Sequence, residues 1–281
     1  MLDTGCWILV EDPARRGTVE SFIMKLQSNN VSWPDKPAAP VPSGSAEIKL
    51  RPDECVDLFL EGRLKLIQSK DGYRFSIDAI LLSEFVTIKE GDVVIDLGTG
   101  CGVILLSLLL KKPVGHAFGL EIQEGLASQA MRNALLNGFG DRMGVTLGDI
   151  RFPPMANESA DVIICNPPYR KARSGRLNPD PRRAIARHEI LASIDDILQA
   201  ARSLLRKKGR LALIYPSVRL TDILVRLRRF SLEPKRVQLN YPDLESGAKL
   251  ALIEASLGGR PGLEVLPPLL GQGDFSISSR P

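Results

Sequence analysis

Between Asp92 and Leu257 the chain repeats one pattern: a short, almost wholly apolar run, then a longer stretch with helical spacing. DVVIDLG, HAFGLEI, GVTLGDI, ADVIICN and GRLALIYPS are the runs. GVILLSLLLKK, EGLASQAMRNALLNGF, DDILQAARSLL and LTDILVRLRRF are the helical stretches. A strand with one wet face alternates apolar and polar residues, so a run that is apolar throughout must be covered on both faces. That condition calls for a mostly parallel sheet between two helical layers, a doubly wound α/β fold. RVQLNYP and KLALIEASL close the sheet as a pair. Ahead of it, LKLIQS and YRFS read as two short strands around KDG, followed by a helix over DAILLSEFV.

The chain divides near residue 46. Pro34, Pro37, Pro40 and Pro42 with SGS hold neither helix nor sheet. Residues 1–45 are therefore expected to be an N-terminal extension and Pro-rich linker, loosely attached or partly disordered, with TVESFIMKLQ as its one short helix. Residues 46–281 are expected to form one large domain, whose core the 44% hydrophobic content can fill. No apolar run approaches the length of a membrane span, and MLDTGCWILVEDPARRG is too short and too acidic in its flanks for a secretory signal. Cys6, Cys55, Cys101 and Cys165 lie far apart, and the chain has 2 histidines. That pattern argues against a disulfide framework or a zinc site, so no metal is expected and the expected compartment is the reducing cytoplasm.

Charge is segregated. Arg170 to Arg236 carries 18 Lys and Arg against 6 Asp and Glu, within a chain of net charge +4. Such a surplus suggests a basic face for a polyanion. RSLLRKKGR and VRLRRF read equally well as solvated helix faces.

Asp96-Leu97-Gly98-Thr99-Gly100-Cys101-Gly102 lies between a strand and a helix. Glycines at every second position let the backbone turn sharply and approach a ligand, and the helix N-terminus offers free N–H groups. A nicotinamide site would want G-x-G-x-x-G, and Val103 stands where the third glycine belongs. The G-x-G-x-G spacing behind an acid fits S-adenosylmethionine, whose methionine end carries an ammonium and a carboxylate. Two more acids sit at strand ends: Glu121, before Ile122, for the ribose hydroxyls, and Asp149, with Ile150, for the adenine. A lone strand-end acid is more often a cap or a solvated group. Three at successive strand ends match the edge where doubly wound sheets bind ligands.

Asn166-Pro167-Pro168-Tyr169 follows the fourth strand of that sheet and so reaches the same edge. A planar amine is a poor nucleophile because its lone pair is delocalised. The Asn166 side-chain oxygen and the Pro167 carbonyl can accept its two N–H groups and stabilise charge that develops only in the transition state. The prolines remove competing donors, and Tyr169 offers a stacking face for a flat substrate. A plain proline turn would explain the prolines but not Asn166 and Tyr169.

These motifs, DLGTGCG, GLEIQ, GDI and NPPY, resemble those of class I S-adenosylmethionine-dependent methyltransferases. GYRFSIDAILLSEF, LEIQEGLASQAMRNALLNG, ARHE, GRLALIYPSVRLTDIL, LEPKRVQ and GLEVLPPLL further resemble the bacterial adenine-N6 methyltransferases of valine tRNA. The likeness runs from about residue 47 to 270. It implies a Rossmann-like seven-stranded sheet, mostly parallel with an antiparallel last strand. It also implies that Phe75, Ser76 and Asp78 help close the cofactor pocket, and that the substrate is the adenine beside the anticodon. Arg170, Lys171, Arg173, Arg176, Arg182, Arg183 and Arg187 would line the approach of the tRNA. His188 reads as structural rather than as a base, since the product can lose its proton to water. Glutamine-N5 methylation of release factors is the alternative, although ARHE stands where that family carries E-P-x-x-A-L. Guanine-N2 methylation of rRNA is another, although its sites more often read NPPF. A DNA adenine methyltransferase would need a recognition domain, and a non-catalytic RNA chaperone would not need Asn166 and Tyr169.

Overall fold

The computed structural model describes residues 48–60, 62–70, 77–167 and 192–271. The extension expected over residues 1–45 lies outside them. An antiparallel hairpin comes first, β1 (Glu54–Phe59) and β2 (Leu64–Ser69). Thus LKLIQS does form a strand, but it pairs with ECVDLF, which the sequence reading left unassigned; YRFS lies outside the described residues. Helix α1 (Ile77–Phe85) leads into the alternating unit. This runs β3 (Val93–Leu97), α2 (Val103–Lys111), β4 (His116–Glu121), α3 (Glu124–Leu136), β5 (Met143–Leu147) and β6 (Ala160–Cys165). It continues with α4 (Ile194–Leu204), β7 (Leu205–Pro216), α5 (Leu220–Arg229), β8 (Leu232–Tyr241) and β9 (Leu250–Leu257).

The sheet order is β5-β4-β3-β6-β7-β9-β8, with β9 antiparallel to both neighbours and the other pairs parallel. Seven long strands and a reversed last one agree with the expected architecture. Two short strands extend the edge: β10 (Glu264–Val265) and β11 (Leu269–Leu270) both run parallel to β8.

The apolar strands split by alternation between two cores. Val94, Val162 and Ile164 face α1, α2 and α3, while Ile95, Ile163 and Cys165 face α4 and α5. This is why the runs carry no polar face. Helix α4 starts at a capping box in which Ser193 and Asp196 exchange side-chain and backbone hydrogen bonds. Among the described residues no helix is long and apolar enough to cross a membrane.

The chain reverses its direction of travel across the sheet between β3 and β6. Connections from β3 run outward through β4 to β5, and those from β6 run the other way. Doubly wound sheets bind ligands outside the carboxyl ends of the strands at such a reversal, and Gly98, Glu121 and Asn166 lie at that edge.

Candidate active site

Register places the motifs at one level. Asp96 pairs with Ile164, so Asn166 lies two residues further along β6's direction, beside the glycine loop. On the other side Asp96 pairs with Gly119, which sets Glu121 level with Gly98. Glu121 in turn pairs with Leu147, two residues before Asp149.

The loop itself depends on left-handed backbone. Gly98, Gly100 and Gly102 have φ of 79°, 57° and 85°, a region that L side chains rarely occupy. At Gly102 a Cβ would lie 2.8 Å from Met143 Cε and 3.3 Å from Ala130 Cβ, so a side chain there would lift α2 off α3. Gly98 and Thr99 both donate N–H to the Leu120 carbonyl, at 2.8 and 3.1 Å. Glu121 closes the loop from β4. One carboxylate oxygen accepts from Gly100 N–H and the other from Gln123 N–H, both at 2.9 Å.

Asp96 is treated differently. Its side chain is fully buried, and the side-chain donor beside it is the Thr99 hydroxyl, which does not reach ordinary hydrogen-bond geometry with either oxygen. Burial pushes the Asp96 carboxyl up to about 7; the Thr99 hydroxyl counters this, and the negative Glu121 adds to it. An uncompensated buried carboxylate costs several kcal/mol, roughly, and persists where something else completes it. A ligand carrying an ammonium group fits that requirement. Burial likewise raises the Cys101 thiol to about 11 and the Cys165 thiol well above its usual range, which leaves both as packing groups. Cys165 Sγ contacts the Leu97 carbonyl at 3.3 Å and ties β6 to β3 just below the carboxyl edge.

The remaining expected residues divide. Ile150 is half-buried and its Cδ1 would lie 3.9 Å from a Cβ on Gly98, so it does flank the loop. Ile122 is half-buried behind Glu121. Asp149 reaches the right edge, but Arg151 occupies both of its oxygens, at 2.9 Å through Nε and 2.8 Å through the backbone. Those bonds hold its carboxyl below the usual range. An adenine amino group arriving there must share the carboxylate with that guanidinium. Asp78 is buried in the first turn of α1. Asn166 is half-buried and Pro167 buried as the chain leaves β6. Phe75, Ser76, Pro168, Tyr169, Arg170, Lys171, Arg173, Arg176, Arg182, Arg183, Arg187 and His188 lie outside the described residues.

Three supporting residues escaped the sequence reading. Gly119 leaves room for Thr99, whose Cγ2 stands 2.4 Å from where a Cβ would be. Asn133, fully buried on α3, accepts from Ile67 N–H at 2.6 Å and donates to the Ile67 carbonyl at 3.2 Å and the Cys101 carbonyl at 3.0 Å. Asn137, one turn on, pairs in the same way with Lys65 N–H and carbonyl at 2.9 and 2.7 Å. Two amides four residues apart on a helix thus imitate a strand edge against alternate residues of β2. Through Asn133 the hairpin braces the glycine loop. The N-x-x-x-N-G spacing of Asn133 to Gly138 was visible in the sequence, but nothing in it named the partner.

Comparison with known proteins agrees with this geometry. A methyltransferase domain family matches residues 88–245, and the chain belongs to it: this is a class I S-adenosylmethionine-dependent methyltransferase. Its curated relatives are more particular. A tRNA1(Val) (adenine(37)-N6)-methyltransferase of Porphyromonas gingivalis is 32% identical over 189 residues, covering 64% of this chain and 73% of the relative. One of the same name from Parabacteroides distasonis is 29% identical, covering 66% and 78%. The crystal structure of a predicted O-methyltransferase from Agrobacterium tumefaciens shares the fold. It has a TM-score of 0.54 and 21% identity, covering 69% of this chain and 86% of that one.

Proposed function

We propose that this enzyme methylates the exocyclic N6 of an adenine in tRNA, the adenine beside the anticodon of valine tRNA. One observation carries the reading. The turn bearing Asn166 and Pro167 leaves β6 beside the glycine loop, in a chain whose curated relatives are named for this reaction. S-adenosylmethionine supplies an electrophilic methyl group when bound. Asp96 and Glu121 would hold its ammonium and ribose, with Gly98 and Gly100 letting the backbone come close and Ile150 against the adenine. The Asn166 side-chain oxygen and the Pro167 carbonyl would accept the two N–H groups of the substrate amine and aim its lone pair at the methyl. After transfer the nitrogen loses one proton to water. Tyr169 would stack on the extruded base, which leaves a single-stranded loop more cheaply than a duplex. The basic segment from Arg170 to Arg187 would follow the tRNA backbone, in the cytoplasm where its substrate resides.

The test is direct. With labelled S-adenosylmethionine and separate pools of tRNA, rRNA and release factor, label is expected in tRNA alone; label in release factor would assign the glutamine reaction instead. Asn166→Ala is expected to slow transfer about 100-fold or more while binding cofactor normally. Full transfer by that variant would end the mechanism.

A further inference from the structure

The clusters RKKGR and VRLRRF are alike in sequence and unlike in the fold. On α5, Arg226 pairs with Asp195 and Asp222, and Arg228 with Glu233. In the other cluster Arg206 pairs with Asp161 and Arg210 with Asp92. Lys207 and Lys208 have no carboxylate partner among the described residues.

Lys208 lines a cavity of about 270 Å³ with Lys89, Arg210 and Lys235. The cavity lies at the amino-terminal edge of β7 and β8, opposite the methyl-transfer edge. Its one acidic lining residue, Glu254, is already engaged: it accepts from Thr87 N–H at 2.8 Å and lies 3.6 Å from Arg236. Lys89, Lys208 and Lys235 therefore face the cavity as three cations with no carboxylate partner among the described residues.

The backbone is irregular where it delivers two of them. Residues 206–209 bulge out of β7, because Ala160 pairs with Leu205 but Val162 with Arg210. Lys208 sits in that bulge with φ of 63°, a conformation uncommon for a residue with a Cβ. Lys235 is the extra residue of a second bulge, between Pro234 and Arg236 of β8. Bulges re-aim side chains, and both of these aim a lysine into one cavity. Lys235 Nζ is steadied by the Arg260 carbonyl at 3.0 Å. The cavity is open to solvent, which suits a phosphodiester that keeps part of its hydration.

We propose that this cavity is a phosphodiester-binding site that grips the RNA substrate away from the methyl-transfer edge. The inference rests on the tRNA reading above. Along β7, Arg210 and Pro216 are about 20 Å apart, so one RNA arm lying along the molecule reaches both ends.

The test uses the full chain carrying Lys89→Gln, Lys208→Asn and Lys235→Gln together. Asn tolerates the left-handed backbone at position 208, and Lys208→Glu alone in a second variant guards against misfolding of the first. Binding of total tRNA is measured against salt. The triple variant is expected to lose about 10- to 100-fold in affinity at low salt and to flatten the log–log salt slope by about 2 to 3, with S-adenosylmethionine binding unchanged. A wild-type slope and affinity in both variants overturns the proposal. If wild-type enzyme neither binds nor methylates tRNA, the functional reading falls on its own. The cavity is then judged with tripolyphosphate: amide shifts at Gly209 and Gly259 of wild type that vanish in the triple variant support a phosphoryl site, and their absence overturns it.

Discussion

Two aspartates bracket β3, and they are used in opposite ways. Asp92, just before the strand, is buried and satisfied: it accepts from Lys89 N–H at 2.7 Å and pairs with Arg210. Asp96, four residues on, is buried more deeply and has only the Thr99 hydroxyl beside it, outside ordinary hydrogen-bond geometry. One polar group is satisfied within the fold, and the other is not. The same division runs through the molecule. Asn133 and Asn137 spend their amides on the hairpin, and the carboxyl edge keeps Asp96 in reserve.

The comparison breaks most easily at Asp92. Asp92→Ala would strand the half-buried Arg210 and is expected to lower stability by about 3 to 5 kcal/mol, read from chemical denaturation, with cofactor affinity unchanged in the folded fraction. A large loss of cofactor affinity there would erase the distinction between the two acids.

A pH series sharpens it. The Asp96 carboxyl is raised from 3.8 to about 7 in the folded, ligand-free protein. Between those values the folded state keeps a proton that the unfolded chain has released, so stability falls as pH rises through the window and levels off above it. Between pH 5 and pH 8 the loss from this group is on the order of 3 kcal/mol. Asp96→Asn is expected to remove that slope. Cofactor binding should run the other way, since a cationic ligand favours the ionised form: affinity climbs as pH passes about 7 in the wild type and stays flat in Asp96→Asn.

Next in size is the affinity itself. At pH 8, Asp96→Asn is expected to weaken S-adenosylmethionine binding about 10- to 100-fold by calorimetry, the worth of one hydrogen bond to a charged group. Smallest is Asn137→Ala, which removes two bonds to Lys65 near the surface. It should cost about 1 kcal/mol in stability and nothing in cofactor affinity. Together these variants separate groups that hold the fold from groups that hold a ligand.

Much of this arrangement was legible in advance where the signal is local. DVVIDLG, HAFGLEI and ADVIICN announced strands buried on both faces, and Gly98, Gly100 and Gly102 announced a turn that only glycine makes easily. LKLIQS reads as a strand, but its partner is the nearby ECVDLF rather than YRFS: the pairing is a local hairpin around residues 60–63, and α3 fixes it from the other edge of β2. Asp149 was placed at the correct strand end, yet its engagement by Arg151 two residues on could not be read from spacing alone.

The sequence by itself determined the doubly wound sheet, the glycine loop and the edge at which they meet. Burial of an apolar run and the φ of a glycine are properties of a segment, so a segment can report them. Only the tertiary structure decided which charges are spent. Asp92 and Asp96 are the same residue four positions apart, and Lys208 and Arg228 stand in equally basic runs. What separates them is whether an opposite charge from a distant element lies within reach, and that is a fact about space, not order.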